Sequence, residues 1–157
     1  MSRVTRATKA LEQAGVAFTV HAYEYDPDAE QIGMQAAEAL GEQPARVLKT
    51  LMALVDGKPV CVIVPSDREV SMKKLAAAFQ GKSAQMMKPA DAERATGFKV
   101  GGISPFGQMK PARAAIEEQA MAHAHVFINA GQRGLQVRLN PRDAAEVLHA
   151  RIVPLVA

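Results

Sequence analysis

The sequence predicts a mixed α/β (α+β) fold, and three observations carry that class. Segments with helical spacing are interspersed with segments of strand-like alternation along the whole chain. An Asp56-Gly57 pair separates two apolar runs in the manner of a tight hairpin. A second pair of runs, His125 to Asn129 and Leu135 to Leu139, is joined by the glycine-containing stretch Ala130 to Gly134. Hairpins exclude an all-parallel sheet. With 157 residues, no internal repeat and no composition break, one domain spanning 1–157 is expected.

The elements follow in order. Thr5 to Ala14 places Ala7, Ala10, Leu11 and Ala14 on one helical face, and Gly15 stands where the helix stops. Val16, Phe18, Val20 and Ala22 alternate as a half-buried strand. Tyr23 to Asp28 is a loop by turn chemistry. A helix is predicted from Gln31 to Leu40, closed by Gly41, and Pro44 opens a brief helical turn. Val47 to Val55 and Val60 to Val64 flank the Asp-Gly turn and carry apolar residues on both faces, so they are expected in the middle of a sheet. Ser71 caps a helix whose Met72, Leu75, Ala76 and Phe79 form an apolar stripe ending at Gly81, with Lys73 and Lys74 turned away. Lys82 to Met87 reads as a strand and Pro89 to Thr96 as a short helix stopped by Gly97. Val100 to Gly107 holds too much glycine and proline for regular structure, and Pro141 opens a last helix through Leu148.

Composition excludes several function classes. Hydrophobic residues make up 48% and charged residues 22%, values of an ordinary folded domain. A single cysteine, Cys61, excludes an internal disulfide framework. His123 and His125 lack a thiol or carboxylate at ligand spacing, so no metal is expected, and they read as a strand entry. No uncharged run reaches the ~18 residues of a membrane span, which leads to the expectation of a cytoplasmic protein without membrane contact. The net charge of +3 is unevenly spread. Residues 46–113 hold 12 basic and 5 acidic side chains, whereas residues 1–45 hold 3 and 7. A basic block with Lys49, Lys58, Lys73, Lys74, Lys82, Lys88, Lys99 and Lys110 is either a solvated surface or a footprint for a polyanion. Two Tyr, five Phe and no Trp argue against a base-stacking platform along a single strand.

Candidate chemistry is sparse. Neither G-x-G-x-x-G after a strand nor a phosphate-binding G-x-x-x-x-G-K-[ST] occurs, so no nucleotide cofactor is expected. Cys61 lies inside an apolar run and reads as a buried, inert thiol. Ser104 is not in a nucleophile elbow: Phe106 replaces the final glycine, and Pro105 removes the N–H an oxyanion hole would need. Gly101 and Gly102 suit either close backbone approach to a small polar group or an ordinary turn. Gly131 to Gly134 has the same two readings. Lys49, a cation near the start of an apolar strand, either snorkels to the sheet end or enters a pocket beside a phosphate or carbonyl oxygen.

Taken together, Tyr25-Asp26-Pro27, Ala36 to Gly41, Arg46-Val47-Leu48-Lys49-Thr50-Leu51, Val100 to Gly107 and Ile128 to Leu135 resemble the YbaK/EbsC-type aminoacyl-tRNA deacylases, relatives of the editing domain inserted in bacterial prolyl-tRNA synthetases. The resemblance implies a curved or barrel-like mixed sheet flanked by helices. It implies a trans-editing enzyme that removes cysteine from mischarged Cys-tRNA(Pro), with tRNA as substrate, prolyl-tRNA synthetase as a docking partner, and neither DNA nor a cofactor involved. Carried over by residue, it gives catalytic roles to Lys49, Gly101, Gly102 and Ser104. Substrate contacts fall to Tyr23, Thr50, Ile103, Pro105, Asn129, Gly131, Arg133 and Gly134. The family chemistry uses the substrate's own thiol to attack its ester, formally a lyase-like cyclisation, which accounts for the missing protein nucleophile.

Two positions depart from the family pattern. Gln136 stands where an acidic residue is expected, and Ile32 precedes Gly33 where an aromatic is common. The alternatives are a deacylase for alanine or another small residue using water, and a tRNA- or nucleotide-binding module without catalysis.

Overall fold

The structure, a computed structural model, describes residues 3–29 and 32–157. The described residues form five α-helices and eight strands: α1 Arg6–Gln13, β1 Phe18–Ala22, α2 Ile32–Leu40, β2 Leu48–Val55, β3 Lys58–Pro65, α3 Met72–Ala78, β4 Ala84–Met86, α4 Pro89–Thr96, β5 Arg113–Glu117, β6 Val126–Asn129, β7 Leu135–Leu139, α5 Pro141–Leu148 and β8 Arg151–Val153. The predicted mixed α/β class is the observed one. Gln31, the predicted first residue of α2, lies outside the described residues.

Local chemistry sets the boundaries. Thr5 and Thr8 form a reciprocal capping box at α1, and the Ser71 hydroxyl accepts from the Lys74 N–H at α3. Gln80, rather than Gly81, adopts the left-handed φ of 56° just after α3. At the hairpin, Asp56 and Gly57 both take positive φ, as a two-residue turn between right-twisted strands requires. The Asp56 carboxylate also accepts from the Lys82 and Ser83 N–H groups, which lower its pKa and tie β4 to the turn.

The strands form two sheets, ordered β4-β2-β3-β5-β8 and β1-β7-β6. The β2–β3 and β2–β4 pairs are antiparallel, and β3–β5 and β5–β8 are parallel. A bridge between Val47 and Phe127 joins the sheets at one point. Side-chain alternation in β3 sends Cys61 and Ile63 to the core shared with the smaller sheet, against Leu11, Phe106 and Ile128. Val60, Val62 and Val64 go to the opposite core under α3, with Leu75, Phe79 and Leu155.

Strands β5 and β8 have no counterpart in the sequence reading. The run Arg-Ala-Ala-Ile-Glu of β5 is short and alanine-rich, and its place in the sheet comes from parallel pairing to β3, a contact remote in sequence. Glu117 ends β5 with only 1% exposure and accepts from the N–H groups of Gln119, Leu155 and Val156 at 2.8–3.0 Å. Glu117→Ala removes the acceptor of three N–H groups, two of them buried, and is expected to lower unfolding free energy by about 3 kcal/mol in urea titration, with Glu117→Gln costing less.

Candidate functional site

Strand β2 is the origin of the site. The Ser66 N–H donates to the Val47 carbonyl at 2.9 Å, so odd-numbered β2 residues turn their main-chain groups to β3 and even-numbered ones turn away. On that far side β4 pairs with Ala53 to Val55, with the Met87 N–H donating to the Met52 carbonyl at 3.1 Å, and β6 pairs only through the bridge from Phe127 to Val47. Between these two pairings no strand is registered against the far edge of β2 at Thr50 among the described residues.

A cavity of about 290 Å³ lies along that edge, lined by every residue from Val47 to Met52. Its walls include Tyr23 and Tyr25 from the loop after β1, Ala36 from α2, Ser66 from the end of β3, Met87 and Ala92 from the α4 region, Val100, Gly101 and Ile103 from the glycine loop, and Asn129 and Gln136 from the smaller sheet. Because it runs along an edge rather than over one face, neighbours such as Lys49 and Thr50 both reach it despite strand alternation. Among the described lining residues Lys49 is the sole formal charge; no Asp, Glu, His or Cys lines the cavity.

Two atoms are conspicuous. Thr50 Oγ1 and Gln136 Oε1 are buried, and neither has a hydrogen-bond partner. A buried acceptor without a partner costs about 1–3 kcal/mol, a cost the fold carries at two residues of the cavity wall. Beside them, burial raises the Tyr23 pKa above its ordinary 10.0, opposed by a side-chain hydrogen bond with Gln136, so Tyr23 is a neutral phenol at physiological pH.

The glycine loops are braced from three directions. The Asn129 amide donates to the Gly101 and Gln132 carbonyls at 3.3 and 3.4 Å, while its oxygen accepts from Gly131 and Gln132 N–H. Arg133 Nε donates to the Val100 carbonyl at 2.9 Å, and its guanidinium lies 5.4 Å from the Tyr25 ring centroid. From α1, Thr5 Oγ1 donates to the Ala130 carbonyl and the Arg6 guanidinium to Gly97. Backbone contact between the loops is tight: a Cβ on Gly102 would sit 2.7 Å from the Arg133 nitrogen.

Of the sequence-predicted residues, the structure brings Lys49, Thr50, Tyr23, Gly101, Ile103 and Asn129 to one cavity. It does not bring Ser104 there: the residue is fully buried, its hydroxyl accepts from the Phe106 N–H and its carbonyl from Gln108. Pro105 is buried behind it. Gly102, Gly131 and Arg133 line a separate cavity, and Gly134 packs against the Tyr23 carbonyl. Sequence reasoning missed Tyr25 as a cavity wall and treated Gln136 only as a departure. The alternation of β7, which sends Leu135, Val137 and Leu139 to the core and Gln136 to the opposite face, was the available signal.

A model of the aminoacyl-tRNA editing domain matches residues 26–147. The chain belongs to the aminoacyl-tRNA editing domain family. This editing domain is 33% identical over 141 residues to an Enterococcus faecalis protein named "Putative Cys-tRNA(Pro)/Cys-tRNA(Cys) deacylase EbsC", covering 87% of this chain and 84% of that one. It is 30% identical over 117 residues to a proline–tRNA ligase of Acidithiobacillus ferrooxidans, covering 71% of this chain and 20% of the ligase. Its fold matches a solved structure described as a "putative trans-editing enzyme for prolyl tRNA synthetase", with a TM-score of 0.82 at 21% identity over 97% of this chain and 95% of that one. It also matches the hypothetical protein APE2540, with a TM-score of 0.86 at 16% identity over 98% and 100%. The YbaK/EbsC-type resemblance and the predicted editing-domain fold both hold, with two sheets in place of a closed barrel. No helix among the described residues is long and apolar enough to cross a membrane.

Cys61 stands outside the site chemistry. Burial pushes its thiol up to about 12, only partly opposed by the Gln108 amide 3.7 Å away. The native protein is therefore expected to resist iodoacetamide at pH 8 and to be alkylated on unfolding, read by mass spectrometry. Because the folded-state pKa exceeds the unfolded one, this thiol contributes nothing to pH dependence below about pH 9 and destabilises the fold as pH rises from there toward 12.

Proposed function

We propose that the protein is a trans-editing aminoacyl-tRNA deacylase that clears cysteine from Cys-tRNA(Pro), working in the cytoplasm and docking on prolyl-tRNA synthetase. The observation that carries this reading is the cavity itself: it follows an edge of β2 beside a single lysine, and its described lining residues include no Asp, Glu, His or Cys. The Ser66 hydroxyl donates to the Val47 carbonyl, and no carboxylate or imidazole lines the cavity to activate it or Thr50, so the site is suited to orienting an ester and stabilising charge rather than to attacking it. A cysteinyl ester supplies its own. A free thiol, with a pKa near ~8.5, is partly thiolate at neutral pH.

In the proposed step, the substrate sulfur attacks the carbonyl carbon, the oxygen of that carbonyl gains negative charge, and the intermediate collapses by breaking the ester C–O bond. The ribose oxygen takes up a proton as tRNA leaves. The cyclic thioester then adds water to give cysteine. Lys49 and the main-chain N–H groups around Thr50 and Gly101 are the groups near enough to the cavity to stabilise the developing charge. The E. faecalis relative's name supports the cysteine assignment, and the match inside a proline–tRNA ligase supports the tRNA and the docking partner.

The purified protein, incubated with proline tRNA charged separately with Cys, Ala, Ser or Pro, is expected to cleave the Cys ester at least about tenfold faster than the others. Cleavage of the Ala ester with the Cys ester left intact would replace the thiol mechanism by water attack. Loss of every ester at the buffer rate would leave a binding module.

A further inference from the structure

The fold sorts the basic block of residues 46–113 by sheet face. Residues directly opposite one another in an antiparallel pair share a face. Val60, Val62 and Val64 pack under α3, so their β2 partners Ala53, Leu51 and Lys49 belong to the α3 side, and Lys58 joins them opposite the buried Val55. The same rule puts Ala84 and Met86 of β4, which oppose Val55 and Ala53, on that side. Lys49 of the ester cavity therefore shares its sheet face with α3.

A groove of about 450 Å³ runs between α3 and β4, and Met72, Lys73, Ala76, Gly81, Lys82 and Ala84 are among its walls. Lys73 and Lys82 are both exposed, and neither has a carboxylate within ion-pair distance among the described residues. Helix α3 carries no acid. Asp56, which feels the charge of Lys82 and Lys58, is exposed and already accepts from the Lys82 and Ser83 N–H groups. At the other end of α3 the exposed Arg113 and Arg151 continue the positive surface, their guanidiniums 5.0 and 5.5 Å from the Phe79 ring centroid. No large exposed apolar side chain among the described residues lines the groove, so its chemistry fits a chain of phosphates better than a protein. Strand β4 joins the groove to the ester cavity. Ala84 lines the groove, Met86 lines the cavity, and the two lie about 7 Å apart along the strand.

We propose that the acceptor strand of the tRNA leaves the ester cavity over Met86 and follows the groove between α3 and β4, where Lys73 and Lys82 neutralise its phosphates. The inference rests on the deacylase reading, because the ester cavity is what fixes where the RNA ends.

Fluorescence anisotropy with an uncharged acceptor-stem minihelix of proline tRNA, read between about 50 and 200 mM salt, tests it. Lys73→Gln combined with Lys82→Gln is expected to weaken binding about tenfold at the lower salt and to reduce the slope of log affinity against log salt by about 2. Lys9→Gln combined with Lys110→Gln removes the same net charge at exposed positions that line neither the cavity nor the groove, and is expected to weaken binding less than about threefold. Both pairs are expected to keep the wild-type melting temperature. Equal weakening by the two pairs would reduce the effect to net charge and overturn the proposal. Wild-type minihelix affinity in the Lys73, Lys82 pair would overturn it as well, and loss of binding to purified prolyl-tRNA synthetase in that same pair would give the groove to a protein instead. Ester cleavage is not read in this measurement. A protein that deacylates no charged tRNA yet keeps binding that depends on Lys73 and Lys82 would therefore sink the deacylase reading and leave the RNA track standing.

Discussion

Lys49→Ala is expected to slow deacylation of Cys-tRNA(Pro) by about a hundredfold or more while leaving the fold intact, because it removes the one formal charge on the cavity wall at a point where the transition state gathers negative charge. Three features separate this from a stability effect. Lys49 is only partly buried, it has no ion-pair partner among the described residues, and its strand is held by the full β2–β3 register from Leu48 to Val55. Its loss therefore strands no buried charge, and exposed or half-exposed substitutions of this kind usually change stability by less than about 1 kcal/mol. Single-turnover cleavage with thermal denaturation on the same sample reads both quantities. Near wild-type turnover would take Lys49 out of the chemistry. Lys49→Arg distinguishes position from charge: a bulkier planar group in a cavity of about 290 Å³ is expected to recover only part of the rate.

The second large effect is expected from Gly102→Ala. The added Cβ would lie 2.7 Å from the Arg133 nitrogen and 3.0 Å from the Gln132 carbonyl carbon, both main-chain atoms that cannot swing aside. The two glycine loops must separate to admit it, against the Asn129 hydrogen bonds that join them. We expect a loss of about 2–3 kcal/mol of stability, as for an overpacked core site, together with a fall in turnover of at least about a hundredfold, as for displaced positioning groups. Gly101→Ala provides the contrast. Its Cβ would meet the Tyr25 hydroxyl at 2.6 Å, a side-chain end that can move, but at a φ of +90° that strains any residue with a Cβ. A Gly102→Ala protein with native turnover and native melting temperature would show that the loops are not held to this spacing.

Much of the architecture was legible because it is local. The Asp56-Gly57 hairpin, the Pro89 to Thr96 helix closed by Gly97, and the Pro141 to Leu148 helix all follow from turn chemistry and spacing that lie within a few residues. β5 and β8 were not legible, since alanine-rich and three-residue segments become strands only through parallel partners far away in sequence. For the site, motif resemblance led to Lys49, Thr50 and Gly101, but it also pointed to Ser104, whose hydroxyl is spent on the Phe106 N–H at 3.2 Å. Tyr25 and Gln136 show the reverse case: the sequence named one only within a motif and the other only as a departure, and the fold placed both on the cavity wall.

The sequence by itself determined the mixed α/β class, the order of most elements, the family resemblance, the uneven placement of positive charge and the absence of any motif for a protein nucleophile. These depend on residue type and near-neighbour spacing. Only the tertiary structure decided that β2 has no strand partner on its far edge between the Val47 bridge and the β4 pairing, that Thr50 and Gln136 line one cavity and keep a buried oxygen without a partner, and that the glycine loop has a cavity on each side. The reason is physical: whether a backbone edge is paired, or a polar atom satisfied, depends on which distant segments arrive beside it, and that is set by packing of the whole chain rather than by local propensity.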